Sequence, residues 1–299
     1  MPTPNSRTTP RLSLGIPVYN GAVGIGRLVN GLLADSFDAI EVIVSDNGST
    51  DGTVEILREL EKTDPRLHVN YFSENRGVQA NFNEVLYRAS APLFKWCAVD
   101  DVIDPGYLIQ AVPHMEANPA TTLTHCRYDF TDGERRFAQG THQKRQFDEK
   151  VMPVTMSRWA PVRLEGNLRH FSYGGHIFGV QRTELLQKLG GHAEYAGTDW
   201  VVTAELAALG PFHWIPETLW ACHCPDIELT DYTSYGILDG KDFPDLDLKL
   251  LERRNYGHIR SARLIDATLQ SRRLQRRVAQ KIRRTVAARR PKVGPKVGS

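Results

Sequence analysis

The sequence lacks the features that mark membrane-spanning or exported proteins. Its 299 residues contain no run of 18 apolar residues, which is the length that a transmembrane helix needs. The polar segment 1–11 has no apolar signal core, so we expect a protein that is not exported. Its four cysteines (Cys97, Cys126, Cys222 and Cys224) give neither a disulfide framework nor a Cys-x-x-Cys zinc motif, which fits the reducing cytosol.

The net charge is also small, at +2, but it is unevenly placed. Residues 252–299 carry 15 Lys and Arg against two acids, a charge of +13, which leaves −11 for residues 1–251. In that basic segment an apolar residue recurs every four positions, at Leu274, Val278, Ile282 and Val286. Either a basic amphipathic helix on an anionic membrane or a solvated or disordered basic tail explains this pattern. No recognition motif accompanies the charge, so nucleic acid is not the expected partner.

Short apolar strands alternate with helical patterns over about residues 12–110. The helical patterns place apolar side chains on one face, and the linkers are short. This β-α-β-α-β-α-β order favours a mostly parallel sheet covered by helices. The four predicted strands begin at Leu12, Ala39, Leu67 and Leu93.

Two adjacent aspartates, Asp100 and Asp101, follow the apolar run that begins at Leu93. Open α/β sheets bind their ligands at the carboxyl ends of the strands, where this pair is expected. Two carboxylates on one short turn can hold Mg²⁺ or Mn²⁺, which commonly bridges a protein to a diphosphate. A solvated loop or a helix cap is the alternative, because Asp-Asp before a turn is common.

Four ordered segments resemble the nucleotide-binding half of glycosyltransferase family 2. The match covers about residues 12–110, and later segments extend it to about residue 225. The resemblance implies an α/β GT-A fold, a nucleotide-diphosphate sugar donor, a divalent metal and inversion at the anomeric carbon. The matching segments are Pro17-Val18-Tyr19-Asn20, Asp46-Asn47-Gly48-Ser49-Thr50-Asp51, Asn75-Arg76-Gly77 with Asn83, and Val99-Asp100-Asp101.

The resemblance assigns roles to particular residues of the donor site. Tyr19 would stack on the base, and Asp46 would accept hydrogen bonds from a uracil or thymine N3–H or from a ribose hydroxyl. An Asx-turn is the alternative role for Asp46. Asn83 would either contact the donor or brace the loop that bears the aspartates. The donor-binding residues implied in this way are Pro17, Tyr19, Asn20, Asp46, Arg76, Asn83 and Asp101.

The same resemblance implies the metal ligands. Asp100 would bind Mg²⁺ or Mn²⁺ and so the diphosphate, whereas Asp101 would be a second ligand or bind the donor sugar. His223 is a further candidate ligand. Many family members have Asp-x-Asp-Asp, but Ala98 stands at the first position here. This departure leaves open a weak or absent metal dependence.

The acceptor half is less regular in sequence. Residues 134–165 are polar with little periodicity, so we expect an acceptor-facing insertion or a mobile loop there. Asp199 matches the family position of the general base, near the start of a predicted helix. An ordinary first-turn or N-cap residue is the alternative for Asp199.

These observations predict one GT-A domain over residues 1–225, with a donor half at about 12–110 and an acceptor half at about 111–225. A C-terminal extension, 226–299, follows, with a basic helical tail from about residue 252. The predicted protein is cytoplasmic, or peripheral on the inner face of the membrane.

The predicted function is transfer of a sugar, of the hexosyltransferase type, from a UDP- or dTDP-sugar to an acceptor hydroxyl. The acceptor would be a glycan, a lipid-linked sugar or a small molecule, in glycan, glycolipid or secondary-metabolite biosynthesis. A nucleotidyltransferase would carry a Gly-rich basic loop after the first strand, where this chain has Pro17-Val18-Tyr19-Asn20. A catalytically degenerate nucleotide-sugar binder that recruits partners through its basic tail is the other alternative.

Overall fold

The computed structural model of the chain describes residues 9–131, 136–137, 153–160, 162–164, 167, 175–193 and 198–223. The strands are β1 (Leu12–Val18), β2 (Ile40–Asp46), β3 (Leu67–Tyr71), β4 (Leu93–Trp96), β5 (Val102–Ile103), β6 (Leu123–Thr131), β7 (Arg136–Phe137), β8 (Val180–Arg182) and β9 (Phe212–His223). The helices are α1 (Ile25–Leu33), α2 (Thr53–Glu61), α3 (Val78–Arg88), α4 (Tyr107–Ala117), α5 (Thr183–Leu189) and α6 (Thr198–Leu209).

The first four strands form the parallel half of the sheet, in the spatial order β3-β2-β1-β4. Helices α1, α2 and α3 connect them in chain order, so the predicted β-α-β-α-β-α-β arrangement is confirmed. Val18 pairs with Asp46, and Asp46 pairs with Tyr71. The carboxyl ends of three neighbouring strands therefore lie side by side.

The second half of the sheet is mixed in direction. Strand β8 is antiparallel to both β4 and β6, whereas β9 is parallel to β6 and antiparallel to β5. Within the described residues these strands complete a nine-stranded sheet. A 3-10 turn at Gly175–Phe178 precedes β8.

Helices cover both faces of this sheet. One buried cluster joins α1, α2 and α4 to the sheet, and a second joins α3, α5 and α6 to its other face. Helix α6 is apolar on nearly all sides, and most of its residues are buried, as expected for a helix enclosed by other elements. The three layers agree with the predicted α/β class.

The described residues all lie within the predicted domain 1–225. Most of the predicted insertion at 134–165 and the whole extension 226–299, with its basic tail, lie outside the described residues. In the part of the chain that the structure describes, no helix is long and apolar enough to cross a membrane.

Candidate active site

Polar loops converge at the carboxyl edge of the parallel strands. The carbonyl oxygen of Val18, at the end of β1, accepts hydrogen bonds from the Asn47 backbone N–H at 2.9 Å and from Asn81 Nδ2 at 3.1 Å. The Phe72 N–H donates to the carbonyl oxygen of Asp46 at 2.9 Å. The loops after β1, β2 and β3 are thus fixed to one another.

Three of the predicted donor residues lie at the end of β1 and in the loop that follows it. Pro17 is half-buried in β1, and Tyr19 is 49% exposed, so its ring is available to a ligand. Asn20 has a φ of 52°, in the left-handed region that asparagine tolerates. Its N–H donates to Ser49 Oγ at 2.8 Å, and its Oδ1 accepts the Thr50 N–H at 2.9 Å. Asn20 therefore ties this loop to the one after β2.

Asp46 ends β2 and is almost fully buried, at 1% exposure. Its Oδ2 accepts the Ser49 N–H at 3.1 Å, which is the turn interaction considered above as the alternative. Its Oδ1 is buried and has no hydrogen-bond partner among the described residues. Buried carboxylate oxygens are normally paired, so this atom is a candidate acceptor for a ligand N–H or O–H.

Arg76 lies in the loop between β3 and α3, beside Asp46 and its neighbours. Its guanidinium carbon is 4.3 Å from the centroid of the Phe72 ring, so the cation stacks on an aromatic face. Its backbone N–H donates to Asn47 Oδ1 at 2.8 Å. The Asn47 amide also donates to Asn75 Oδ1 at 3.0 Å, so this side chain holds the Arg76 loop against β2.

The fourth strand is shorter than predicted. Strand β4 ends at Trp96, and after Cys97, whose N–H donates to the Gly15 carbonyl at 2.8 Å, the chain leaves the sheet. A Cβ atom at Gly24 would lie 2.8 Å from the Val99 carbonyl oxygen and 2.9 Å from Asp100 Oδ1. Only a glycine allows the loop after β1 to approach the aspartates this closely.

The two aspartates differ in environment. Asp100 is exposed at the sheet edge, whereas Asp101 is 4% exposed. Asp101 Oδ2 accepts a hydrogen bond from Trp220 Nε1 at 2.8 Å. The carboxylates are therefore presented differently, one to solvent and one to strand β9.

Asn83 is turned towards the acceptor half. Its Nδ2 donates to the His192 carbonyl oxygen at 2.7 Å, and its Oδ1 accepts the His192 N–H at 2.7 Å. A Cβ atom at Gly191, which has a φ of 59°, would lie 2.3 Å from Asn83 Oδ1. Asn83 thus braces a loop, although the one that precedes α6 rather than the one that bears the aspartates, and its donor contact stays a prediction.

Asp199 is a half-buried residue in the first turn of α6. Its carbonyl oxygen accepts the Thr203 hydroxyl at 2.9 Å. The preceding residue, Thr198, accepts the Ala193 N–H on its hydroxyl oxygen at 2.7 Å, which fixes the start of the helix. A helix N-terminus favours a carboxylate anion, so the placement suits a charged Asp199. Its role as a base stays a prediction.

The sequence profile of glycosyl transferase family 2 matches residues 13–175, more than half of the chain. The chain belongs to glycosyltransferase family 2. Putative glycosyltransferase EpsH of Bacillus subtilis is 29% identical over 167 residues, which are 55% of this chain and 46% of that protein. GalNAc(5)-diNAcBac-PP-undecaprenol beta-1,3-glucosyltransferase of Campylobacter jejuni is 30% identical over 120 residues, which are 39% of this chain and 38% of that protein. The chain spans less than half the length of both relatives.

Solved structures show the same fold. Staphylococcus aureus TarS 1–349 in complex with UDP-GlcNAc is similar with a TM-score of 0.62 and 18% identity, covering 85% of this chain and 69% of that one. The mannosyltransferase PcManGT of Pyrobaculum calidifontis, in complex with GDP-Man and Mn²⁺, has a TM-score of 0.56 and 19% identity, covering 94% and 76%. The predicted GT-A fold of this glycosyltransferase family 2 chain is confirmed.

The side chains at the sheet edge offer the oxygen ligands that a hard divalent cation prefers. Asp100 presents an exposed carboxylate, and Mg²⁺ is typically bound by one or two carboxylates together with substrate phosphates and water. No cluster of three or more His, Cys, Asp or Glu that would enclose an ion occurs in the described residues. His223 ends β9, opposite Thr131, and its side chain lies outside the described residues. A divalent cation held here by Asp100 would take its remaining ligands from phosphate oxygens and water.

Sequence reasoning missed three residues of this family 2 site. Asn47 is 2% exposed and links two loops, although it stands in the motif after β2 and was given no role. Trp220 donates a hydrogen bond to Asp101, and Lys95 is a buried residue of β4. A lysine inside an apolar strand was the available signal for Lys95. The partner of Asp101 comes from a strand about 120 positions later, which no local pattern could indicate.

Proposed function

We propose that this family 2 protein transfers a sugar, of the hexosyltransferase type, from a UDP- or dTDP-sugar to an acceptor hydroxyl with inversion. The observation that carries the proposal is the edge where the buried, half-satisfied carboxylate of Asp46 lies beside the loops of Tyr19 and Arg76. A base N3–H or a ribose hydroxyl would complete the hydrogen bonding of Asp46. Tyr19 would stack on the base.

In this mechanism Asp199 accepts the proton of the acceptor hydroxyl while that oxygen attacks the anomeric carbon. The bond from the anomeric carbon to the diphosphate oxygen breaks, and its electron pair leaves with the diphosphate. Arg76 offsets charge on the leaving diphosphate. Asp100, with Asp101 and His223 as further candidates, would hold Mg²⁺ or Mn²⁺, which neutralises the diphosphate when bound.

The proposed acceptor is a lipid-linked sugar, with a soluble glycan or a small molecule as the alternatives, in polysaccharide, glycolipid or secondary-metabolite biosynthesis. The name of the C. jejuni relative contains PP-undecaprenol, which supports a lipid-linked acceptor. The charge of +13 on residues 252–299 supports attraction to an anionic membrane. We therefore propose a cytoplasmic protein, peripheral on the inner face of the membrane.

The test is a panel of nucleotide sugars incubated with and without Mn²⁺, read by release of the nucleoside diphosphate. Release with one UDP- or dTDP-sugar, raised by an acceptor, would support a transferase. The alternative is a degenerate nucleotide-sugar binder, favoured by Ala98 where many relatives have a carboxylate. Binding of the same sugars without hydrolysis or transfer would favour that alternative.

A further inference from the structure

The carboxylate of Asp101 accepts a hydrogen bond from a side chain of the acceptor half of the protein. Strand β5, which follows the aspartates, pairs antiparallel with β9, so that Ile103 lies opposite Trp220. This register places the Trp220 side chain near residue 101. The indole N–H donates to Asp101 Oδ2 at 2.8 Å, and both side chains are buried. A hydrogen bond between a buried donor and a charged acceptor is among the stronger contacts in proteins.

Trp220 also faces a buried cation. Lys95, in β4, is 1% exposed, and its Nζ lies 5.7 Å from the centroid of the Trp220 ring and 5.4 Å from that of Tyr107. The ammonium donates to the carbonyl oxygens of Phe178 and Trp96, the latter at 3.3 Å. The indole therefore contacts the Lys95 cation with its face and the Asp101 anion with its edge.

A buried ammonium is costly in an apolar strand. Among the described residues no carboxylate lies within ion-pair distance of Lys95, so carbonyl oxygens and aromatic rings are its partners. Cys97 lies within reach of both charges: its pKa is raised to about 11, chiefly by burial, while Lys95 lowers it and Asp101 raises it. The cation and the anion therefore act on one small region, directly before the exposed Asp100.

We propose that Trp220 and Lys95 are positioning residues that fix the Asp101 carboxylate and the loop 97–101. Through that loop they present Asp100 to the metal-bound diphosphate, so this inference rests on the proposed function. The arrangement also links strand β9 of the acceptor half to the donor site. Neither residue contacts the substrate in this proposal: Trp220 acts through Asp101, and Lys95 acts through the Trp220 ring.

The decisive variant is Trp220→Phe, which keeps a ring beside Lys95 and removes the N–H donor. Lys95→Met is the second variant, because it keeps an unbranched side chain only one atom shorter and removes the cation. Trp96→Phe is the matched control. Trp96 is fully buried, its Nε1 donates to the Phe82 carbonyl at 3.0 Å, and it belongs to the core on the other face of the sheet.

Three measurements on the full chain separate positioning from general destabilisation. The first is hydrogen exchange of the segment 97–103 without ligand. The second is Mn²⁺ binding by electron paramagnetic resonance with whichever of UDP, dTDP or GDP binds the wild type most tightly. The third is the split between kcat and the KM for the donor.

For Trp220→Phe we expect faster exchange in 97–103 and Mn²⁺ binding weaker by about tenfold or more, the usual effect of losing a hydrogen bond to a charged group. Metal-free nucleotide affinity should stay within a few-fold, and kcat should fall more than KM changes. Lys95→Met should change the same readouts in the same direction, whereas Trp96→Phe should lower only the thermal stability.

Equal hydrogen-exchange rates of segment 97–103 in Trp220→Phe and Trp96→Phe would overturn the positioning proposal, whichever nucleotide the wild type binds. Unchanged Mn²⁺ binding by Trp220→Phe would overturn the link to the metal. A wild type that binds none of the three nucleotides would instead refute the proposed function. A wild type that binds a nucleotide but takes up no Mn²⁺ with it would remove the metal from the proposed function, and the exchange data would still decide the positioning.

Discussion

The Asp46 carboxylate offers the sharpest test of the donor site. Asp46→Asn keeps the size of the side chain, and its amide oxygen can still accept the Ser49 N–H, now 3.1 Å from Oδ2. The change removes the negative charge and replaces one acceptor oxygen with an NH₂ donor. A base N3–H or a ribose hydroxyl that reaches this position would then meet a donor instead of an acceptor.

The size of the effect follows from burial. Asp46 is 1% exposed, and its Oδ1 lacks a partner among the described residues, so a ligand bond to it would form away from water. Hydrogen bonds to charged groups contribute about 1.5–3 kcal/mol. That range corresponds to a nucleotide affinity lower by about tenfold to 150-fold, since 1.4 kcal/mol is one decade.

The assay is calorimetric titration of UDP and dTDP into the wild type and Asp46→Asn, with thermal unfolding as the check on folding. Asp64→Asn is the control, because Asp64 pairs with Arg66 at 2.7 Å at the opposite, amino end of β3. The control should bind nucleotide as the wild type does. If Asp46→Asn lost stability while its affinity stayed within about threefold, Asp46 would be a turn residue only, and the donor-site reasoning would be refuted.

Four further predictions concern the metal ligand Asp100, the proposed base Asp199, the basic tail and the buried His176 in the 3-10 turn before β8. Asp100→Ala should abolish metal-dependent donor binding in titrations while leaving the fold intact, because the side chain is exposed; wild-type activity that survives excess EDTA would contradict the metal. Asp199→Asn should leave donor affinity within a few-fold and lower turnover at least about 10²-fold, and a parallel collapse of affinity would make Asp199 a binding residue. Full-length protein should sediment with anionic vesicles at low salt, whereas a chain ending near residue 250 should not, and equal binding by both would remove the membrane proposal. Burial lowers the pKa of His176 to about 4, so the imidazole takes up a proton more readily in the unfolded chain than in the folded one. The free energy of unfolding should therefore fall by up to about 3 kcal/mol as the pH drops from about 6.5 towards 4. Denaturant titrations over that range should show a flatter dependence of stability on pH for His176→Gln than for the wild type.

The donor half was accessible to sequence reasoning because its signals are local. Each strand is followed within a few residues by its polar loop, and parallel strands carry those loops to one edge of the sheet. The strand-end motifs therefore suffice to place Tyr19, Asp46, Arg76 and Asp100 at that edge. The convergence of their loops in the structure agrees with that expectation.

The tertiary structure decided the exposure and the hydrogen-bond partners of Asp100 and Asp101. The sequence predicted two neighbouring carboxylates on one turn that both face the donor, but one is exposed and the other binds an indole from β9. Strand β4 also ends three residues early, at Trp96, because the chain leaves the sheet after Cys97. These outcomes depend on strand pairing between residues far apart in the chain, which local patterns do not encode.

The sequence alone determined the family, the α/β class and the residues at the carboxyl edge, because alternation, strand-end motifs and spacing are properties of short segments. Only the tertiary structure decided which of those side chains stay available to a ligand. Asn83 hydrogen-bonds the backbone of His192 with both its Oδ1 and its Nδ2. Asp101 accepts a hydrogen bond from Trp220, whose ring contacts the buried Lys95. The physical reason is that a hydrogen bond commits a side chain to whichever partner the fold brings within 3 Å, and that partner need not be near in sequence.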